Sequence, residues 1–275
     1  MTQGIVLFPY STLQKDDNAT GWWKEAAASV GLSIDIMAIE DYKPHIPAPD
    51  FAVMRGYDSM VSKSLEDGGV RVFSPWQAME CSLDKWRTYL CLKSHILPTP
   101  ATMLPAPYPA AVAKLGSPFV VKQRDGSRGV NVFLCGNEPE YDAAIAACKG
   151  YAVLQKYVAE SHGRDVRVWT IGTDCVGAVL RISNGALVSN YAQGGTCEAY
   201  PIDDNLRKLA SQAAAAVGLD FAGIDVLPGN NGYTICEVNG NAGFRTLSLT
   251  SDIDILHSYF VYIKNELRGS STHNQ

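Results

Sequence analysis

Apolar residues along the chain fall into short runs, broken by turn-forming residues and by stretches with helical spacing. Residues 4–8, GIVLF, read as a short buried strand followed by a turn. A helical pattern from about Trp22 to Val30 runs into Gly31, and a second strand, SIDIMAI, follows. After a loop holding Pro44, Pro47 and Pro49 comes a third apolar run, FAVMR. Strand, helix and strand at this spacing predict a parallel sheet with crossover helices. Ligands of such sheets lie beyond the carboxyl ends of the strands, which sets Arg55 at the lip of a cleft.

Residues 82–94, SLDKWRTYLCLKS, put Leu83, Trp86 and Leu90 on one helical stripe. LPTPATMLPAPYP then stops the helix and forms a rigid extended linker, a lobe boundary near residue 98. A second unit reads as strand PFVVKQ, loop RDGSRG, strand VNVFL, a helix near 138–148 and strand YAVLQKYV. A third runs from VRVWTIG and CVGAVLRIS through a glycine-containing loop to a helix at 205–217, closed by Gly218. Its last hairpin is DFAGIDVL, PGNNG and YTICEVN. The pattern as a whole predicts an α/β protein of three small lobes, each mixing sheet and helix.

Composition narrows the chemistry. The 275 residues are 47% hydrophobic and 19% charged, ample for a packed core. A net charge of -5 without a basic block excludes a nucleic-acid surface. Seven cysteines, odd in number and never in C-x-x-C, argue against a disulfide framework or zinc site and for a reducing compartment. The five histidines do not cluster with them. No signal peptide or membrane span is legible, so a soluble cytoplasmic protein is expected, without membrane partners. The chain ends soon after a helix expected at Ile255–Leu267, so no appended domain is expected.

Five segments carry candidate chemistry, and each also has a plain structural reading. In FVVKQRDGSRGVNV, Lys122 ends an apolar strand before a loop holding Gly126, Ser127 and Gly129. Glycines let backbone N–H groups approach an anion, and the lysine adds a point charge. The loop is not a Walker A motif, and alone it reads more readily as a plain hairpin. Lys85 is equally a solvated helix lysine. In VLQKYVAESHGRDVRV, a linker backbone can bond a purine edge and Asp165 can take ribose hydroxyls, or Asp165 is simply a turn residue. LRISNGALVSNYAQGGT carries Arg181 and the pair Ser189–Asn190 before two glycines. An arginine fork and glycine amides suit carboxylate or phosphate, but polar hairpin edges look the same.

The C-terminal hairpin is sharper. Asp225 lies in an otherwise apolar strand, where a carboxylate is costly unless paired or metal-bound. A loop from Pro228 to Gly232 sets Asp225 opposite Ile235 and gives residues 225, 235, 237 and 239 one face. Odd loop lengths keep that face shared; an even length separates Asp225 from Glu237. Asp225, Glu237 and Asn239 would then form an all-oxygen site suited to magnesium. The alternative is a carboxylate paired with Arg167 or Arg181.

In this order the segments resemble the ATP-grasp superfamily, and within it the RimK-like carboxylate–amine ligases. The resemblance runs from about Arg55 to Leu247, through RGYDSM, DKWRTYLCLKSHILPTPAT, FVVKQRDGSRGVNV, LQKYV…GRDVRV, SN…GG, GLDFAGIDVL and EVN. It implies an ATP-grasp fold: an N-terminal pre-ATP-grasp domain over 1–80, a central lobe over 81–160, and a C-terminal lobe over 161–275. By matched residue it implies that Lys85 and Lys122 contact ATP phosphates beneath the loop of Ser127 and Gly129. The Lys156–Tyr157–Val158 hinge would bond adenine, Asp165 would serve the ribose side, and Ser189 with Asn190 would sit near the phosphates. Asp225, Glu237 and Asn239 would hold two magnesium ions, for which manganese can substitute. Arg167 and Arg181 would face the γ-phosphate and an acyl phosphate.

The implied reaction forms an amide from a small-molecule or peptide carboxylate and an amine, by way of that acyl phosphate. The alternatives are an ATP-grasp kinase, a ligase with a non-amine acceptor, or a nucleotide-binding protein without turnover. Homo-oligomers are common for the architecture. Three departures from the family pattern, Ser74, Gln193 and Ala242, fall on walls near the acceptor site, so neither protein S6 nor glutamate is implied as substrate.

Overall fold

Continuous apolar runs at the amino end pair side by side, because both faces of a parallel sheet are covered. The computed structural model describes all residues except 1, 15–18, 45–47, 128, 190–193, 231 and 273–275. In its first sheet β1 (Gln3–Phe8) lies between β2 (Ser33–Ala38) and β3 (Phe51–Met54), and β4 (Arg71–Phe73) flanks β3, all parallel. The helices beside it are α1 (Tyr10–Leu13), α2 (Ala19–Ser29) and α3 (Ser59–Asp67). Asp58 caps α3 by accepting from the N–H groups of Met60 and Val61. Ile5, Leu7, Ala52, Met54 and Leu65 pack on one side of the sheet. Val6, Phe8, Phe51 and Phe73 pack on the other, in a core that continues into Trp169, Phe221 and Phe260 of the C-terminal region.

Two helices follow, α4 (Trp76–Ser82) and α5 (Lys85–Ser94). Here the structure differs from the expected stripe. Asp84 ends one helix and caps the next, so Leu83 lies outside α5, and Leu83 and Leu90 are exposed. The buried positions of α5 are Thr88 and Leu92. With Ala78, Met79 and Leu97 of the neighbouring segments, Leu92 packs against the C-terminal sheet, although the sequence assigns this helix to the central lobe.

The central sheet is antiparallel, in the order β5 (Thr102–Met103), β8 (Ala152–Lys156), β6 (Phe119–Gln123), β7 (Val132–Cys135). It is backed by α6 (Tyr108–Leu115) and α7 (Glu138–Ala147) around Phe119, Val121, Tyr141 and Leu154. Helix α6 begins in the last two residues of the segment read as extended linker; its proline falls in the first turn, where no N–H is required.

The C-terminal sheet has the order β11 (Thr196–Ala199), β10 (Asp174–Ile182), β9 (Arg164–Ile171), β12 (Phe221–Gly229), β13 (Gly232–Asn239), all antiparallel. Val166, Val168, Ile224, Val226, Ile235 and Val238 face α8 (Asp204–Val217), which ends at Gly218 with φ 81°. Two further helices, α9 (Arg245–Thr250) and α10 (Ile255–Thr272), close the chain, and α10 packs on α2. At the outer strand of this sheet, Ile235 N–H donates to the Pro98 carbonyl of the linker at 2.8 Å.

The last hairpin corrects the expected register. Gly229 pairs with Gly232, so the loop is two residues and even, not the odd loop from Pro228 to Gly232. An even loop alone would separate Asp225 from Glu237. Between Asp225 and Val226 the register shifts by one, with Cys236 as the extra residue of a β-bulge, and parity is restored. Asp225 therefore lies directly opposite Glu237 rather than Ile235.

Candidate active site

One face of the C-terminal sheet carries a row of charge. Arg181 of β10 pairs with Asp165 of β9, Arg167 of β9 pairs with Asp225 of β12, and Asp225 pairs with Glu237 of β13. Residues directly opposite in an antiparallel pair share a face, so the five side chains meet there. Arg181 donates to Asp165 through Nε (2.7 Å) and Nη2 (2.6 Å), and Nη2 also reaches Asp225 Oδ2 at 2.9 Å. Arg167 binds Asp225 as a fork, Nε to Oδ1 at 2.6 Å and Nη2 to Oδ2 at 2.7 Å. The carboxylate thus takes the arginine pairing, the alternative weighed from the sequence, rather than standing free for a cation.

Burial pushes Asp225 upward, but the two guanidiniums outweigh it and hold the carboxyl down at about 2. Asp165 goes the other way: burial raises it, and Arg181 offsets only part. Burial lowers Arg181, yet Asp225 and Asp165 raise it further, so it stays charged. Asp165, expected on the ribose side, has both oxygens engaged by Arg181, and the buried Ser189 hydroxyl donates to it. Its position in register with Arg181 makes it the holder of that arginine.

Beside this row a narrow recess opens between α5, the central sheet and β13. Lys85, Tyr89, Lys122, Gln155, Cys236 and Glu237 line it. Lys85 occupies the first turn of α5, oriented by the Asp84 cap, and Asp84 in turn clamps Arg124 of the glycine-rich loop at 2.6 Å. Lys85 Nζ donates to the Gly126 carbonyl and lies 3.6 Å from Glu237 Oε1. Lys122 Nζ donates to Gln155 Oε1 at 2.7 Å and to Cys236 Sγ at 3.1 Å. Burial pushes Lys122 down, but Cys236, Glu237 and Asp225 outweigh it and keep the ammonium above its ordinary value. The loop bends over at Gly129, whose φ is 73° and where an added Cβ would meet Val188 Cγ1 at 2.9 Å. Ser127 is exposed on the same loop.

The remaining expected residues lie apart from this cluster or outside the description. Lys156 is exposed at the end of β8, and its N–H donates to the Ala101 carbonyl at 2.8 Å. Tyr157 meets His162 through its hydroxyl at 2.8 Å, and Val158 begins the short turn that follows. Asn190 and Gln193 are outside the described residues. Of the other departures, Ser74 is buried and accepts from Asp220 N–H at 2.9 Å, and Ala242 is fully buried against Gly223. Two participants were not singled out from the sequence. Gln155 left a signal, a polar residue in an apolar strand; Cys236 left none.

Oxygen chemistry on this face suits a hard cation at Glu237, whose side chain is 31% exposed. Asn239 follows on the same strand face, with its Oδ1 accepting from Asn241 N–H at 2.9 Å. Asp225 would join them only by sharing oxygens already bonded to arginine. Among the described residues no three His, Cys, Asp or Glu side chains converge as a metal cage. No helix among them is long and apolar enough to cross a membrane.

Known proteins resemble this chain. N-acetylaspartylglutamate synthase A of Homo sapiens is 31% identical over 240 residues, covering 82% of this chain and 61% of that protein. A probable alpha-L-glutamate ligase of Haemophilus influenzae is 29% identical over 211 residues, covering 74% of this chain and 70% of that protein. The chain therefore spans 61% of the length of the human relative. The fold is similar to that of the ATP-grasp ligase PsnB, solved with its precursor peptide and AMPPNP, with a TM-score of 0.74 at 18% identity, covering 98% of this chain and 99% of that one. Residues 82–263, from the helix that presents Lys85 to the last helix, match the RimK-like ATP-grasp domain, and the chain belongs to that family.

Proposed function

We propose that the chain is an ATP-dependent carboxylate–amine ligase that forms an amide through an acyl phosphate. The observation that carries the reading is the recess itself, where two ammonium groups face a carboxylate beside two guanidiniums that are fixed in place. Transferring a phosphoryl group from ATP to a carboxylate requires positive charge around the transferring group more than it requires a nucleophilic side chain. Lys122 and Lys85 would bind the phosphates, and the loop of Ser127 and Gly129 would cover them. The backbone of Lys156, Tyr157 and Val158 would receive adenine, with Ser189 and Asn190 at the phosphate end.

Arg167 and Arg181 would face the phosphoryl group as it moves and the acyl phosphate that follows. Their carboxylate partners hold them in position beforehand, so little reorganisation accompanies the reaction. Glu237 and Asn239, with Asp225 as a shared ligand, would hold magnesium, which neutralises phosphate charge when bound. The relatives named as glutamate ligases and N-acetylaspartylglutamate synthase support an amino acid or peptide as one substrate.

Pairs of carboxylates and amines, screened for stimulated phosphate release and then by mass spectrometry, test the reading. An amide product with one ADP per bond is expected. A stable phosphorylated acid would make the protein a kinase, and nucleotide binding with no turnover for any pair would make it a binding protein. Lys122→Ala is expected to weaken nucleotide binding roughly 10- to 100-fold in calorimetry, the worth of a charge-assisted bond. Unchanged affinity would remove Lys122 from the phosphate site.

A further inference from the structure

Most of the internal arginines have a carboxylate. Arg71 pairs with Asp220, Arg124 with Asp84, Arg167 with Asp225 and Arg181 with Asp165. Arg55 is different. It stands just past the carboxyl end of β3, partly exposed, and has no acidic partner among the described residues. Its guanidinium carbon lies 5.5 Å from the ring centre of Trp23, 5.4 Å from Phe221 and 5.9 Å from Phe244. Aromatic faces attract the cation without neutralising it, and among the described residues it donates one hydrogen bond, Nη2 to the Ala242 carbonyl at 3.1 Å, so most of the fork has no partner among them. Burial lowers its pKa to about 10, so the charge is present at neutral pH.

A second group beside it also lacks a partner. Asn241 Nδ2 donates to the Arg55 carbonyl at 3.1 Å, which holds the amide against this arginine. Asn241 Oδ1 is buried and, among the described residues, accepts from nothing. Buried acceptors are nearly always bonded, so an unused one next to an unused cation calls for an occupant. The pair also adjoins the reacting face. A Cβ on Gly223 would meet Ala242 Cβ at 2.5 Å and Arg167 Nε at 3.4 Å, so the residue whose carbonyl Arg55 holds and the arginine bound to Asp225 both flank Gly223.

We propose that Arg55 and Asn241 form the site for an α-amino acid, Arg55 taking its carboxylate and Asn241 Oδ1 its amino group. This rests on the ligase reading for what the amino acid is used for, but binding itself does not depend on turnover. Donors in a planar fork match a carboxylate, and a lone amide oxygen matches an ammonium or amine N–H. No side-chain chemistry is specified by these two groups, so they read the part that all α-amino acids share.

The test is direct binding to the full chain with AMPPNP and magnesium present. The probes are the common L-amino acids, their α-amides and their des-amino acids, followed by calorimetry or ligand-observed NMR. At least one amino acid should bind, and its α-amide should bind roughly 10- to 100-fold more weakly, as for loss of a charge-assisted pair. Arg55→Met fits the aromatic cage and should bind acid and amide alike, while Arg55→Lys retains part of the preference. A thermal melt checks that both variants fold, and either one alone suffices for the comparison. No binding by any amino acid, or an acid-over-amide preference that is undiminished in a folded Arg55 variant, overturns the proposal. Amino-acid binding without any ATP-dependent amide product would instead count against the ligase reading while leaving this site intact.

Discussion

Glu237→Gln should lower ATP turnover by roughly 10²–10³-fold while the protein stays folded, the scale seen when one preorganised electrostatic contact to a transition state is removed. The substitution preserves size and removes only charge. Glu237 is 31% exposed and its charged neighbour Lys85 is 3.6 Å away, so the folded state loses little when the charge goes. The reaction would lose the carboxylate best placed to hold a cation against ATP phosphates. Single-turnover phosphate release, paired with a thermal melt, separates the two effects. Near-normal turnover in a folded variant would end the assignment of Glu237 to the metal site.

Asp225→Ala should be costly in the opposite sense, destabilising the fold by about 3–5 kcal/mol and abolishing turnover. Its carboxylate is the anion shared by Arg167 and Arg181. Removing it leaves Arg167 without a carboxylate among the described residues and Arg181 with Asp165 alone. The pH dependence carries a sign. Asp225 is held down from 3.8 to about 2, so its stabilisation is present above about pH 4 and is lost as pH falls through about 2. The stability gap between wild type and variant should narrow across that window in denaturant titrations. Asp165 is raised by burial and further by Asp225, so part of that rise is relieved in the variant. A gap that stays flat from pH 5 to 2 would show that the arginines do not depend on Asp225.

Much of this was legible in the chain because it is carried by periodicity and residue type. The parallel sheet follows from strand, helix and strand spacing, and α8 with its Gly218 stop follows from amphipathic pattern and the left-handed cap. Lys85, Lys122 and Glu237 do line one recess. What failed were features set by tertiary contact. The stripe through Leu83 and Leu90 is exposed, because Asp84 restarts the helix and turns Thr88 and Leu92 inward instead. The hairpin brought Asp225, Glu237 and Asn239 to one face by a different route, an even loop corrected by a bulge at Cys236, while Ile235 turned to the α8 side. Bulges of this kind have no obligatory residue, and a cysteine in a strand advertises nothing. Arginine pairing at Asp225 was visible only as one option, since the choice depends on strand order: β9 lies between β10 and β12, which aligns Arg167 and Arg181 with the two aspartates.

The bond from Ile235 N–H to the Pro98 carbonyl has a colloidal side. β13 is the outermost strand of its sheet, and it carries Glu237 and Asn239 along with a row of backbone groups turned away from β12. An open edge of that length is a template on which another chain can add a strand, the first step of aggregation. Side chains that line the recess restrict the usual defences, since an inward lysine or a proline there would intrude on it. The linker meets the edge at Ile235 instead, so the segment that joins the lobes also interrupts the row of groups on which another strand could add.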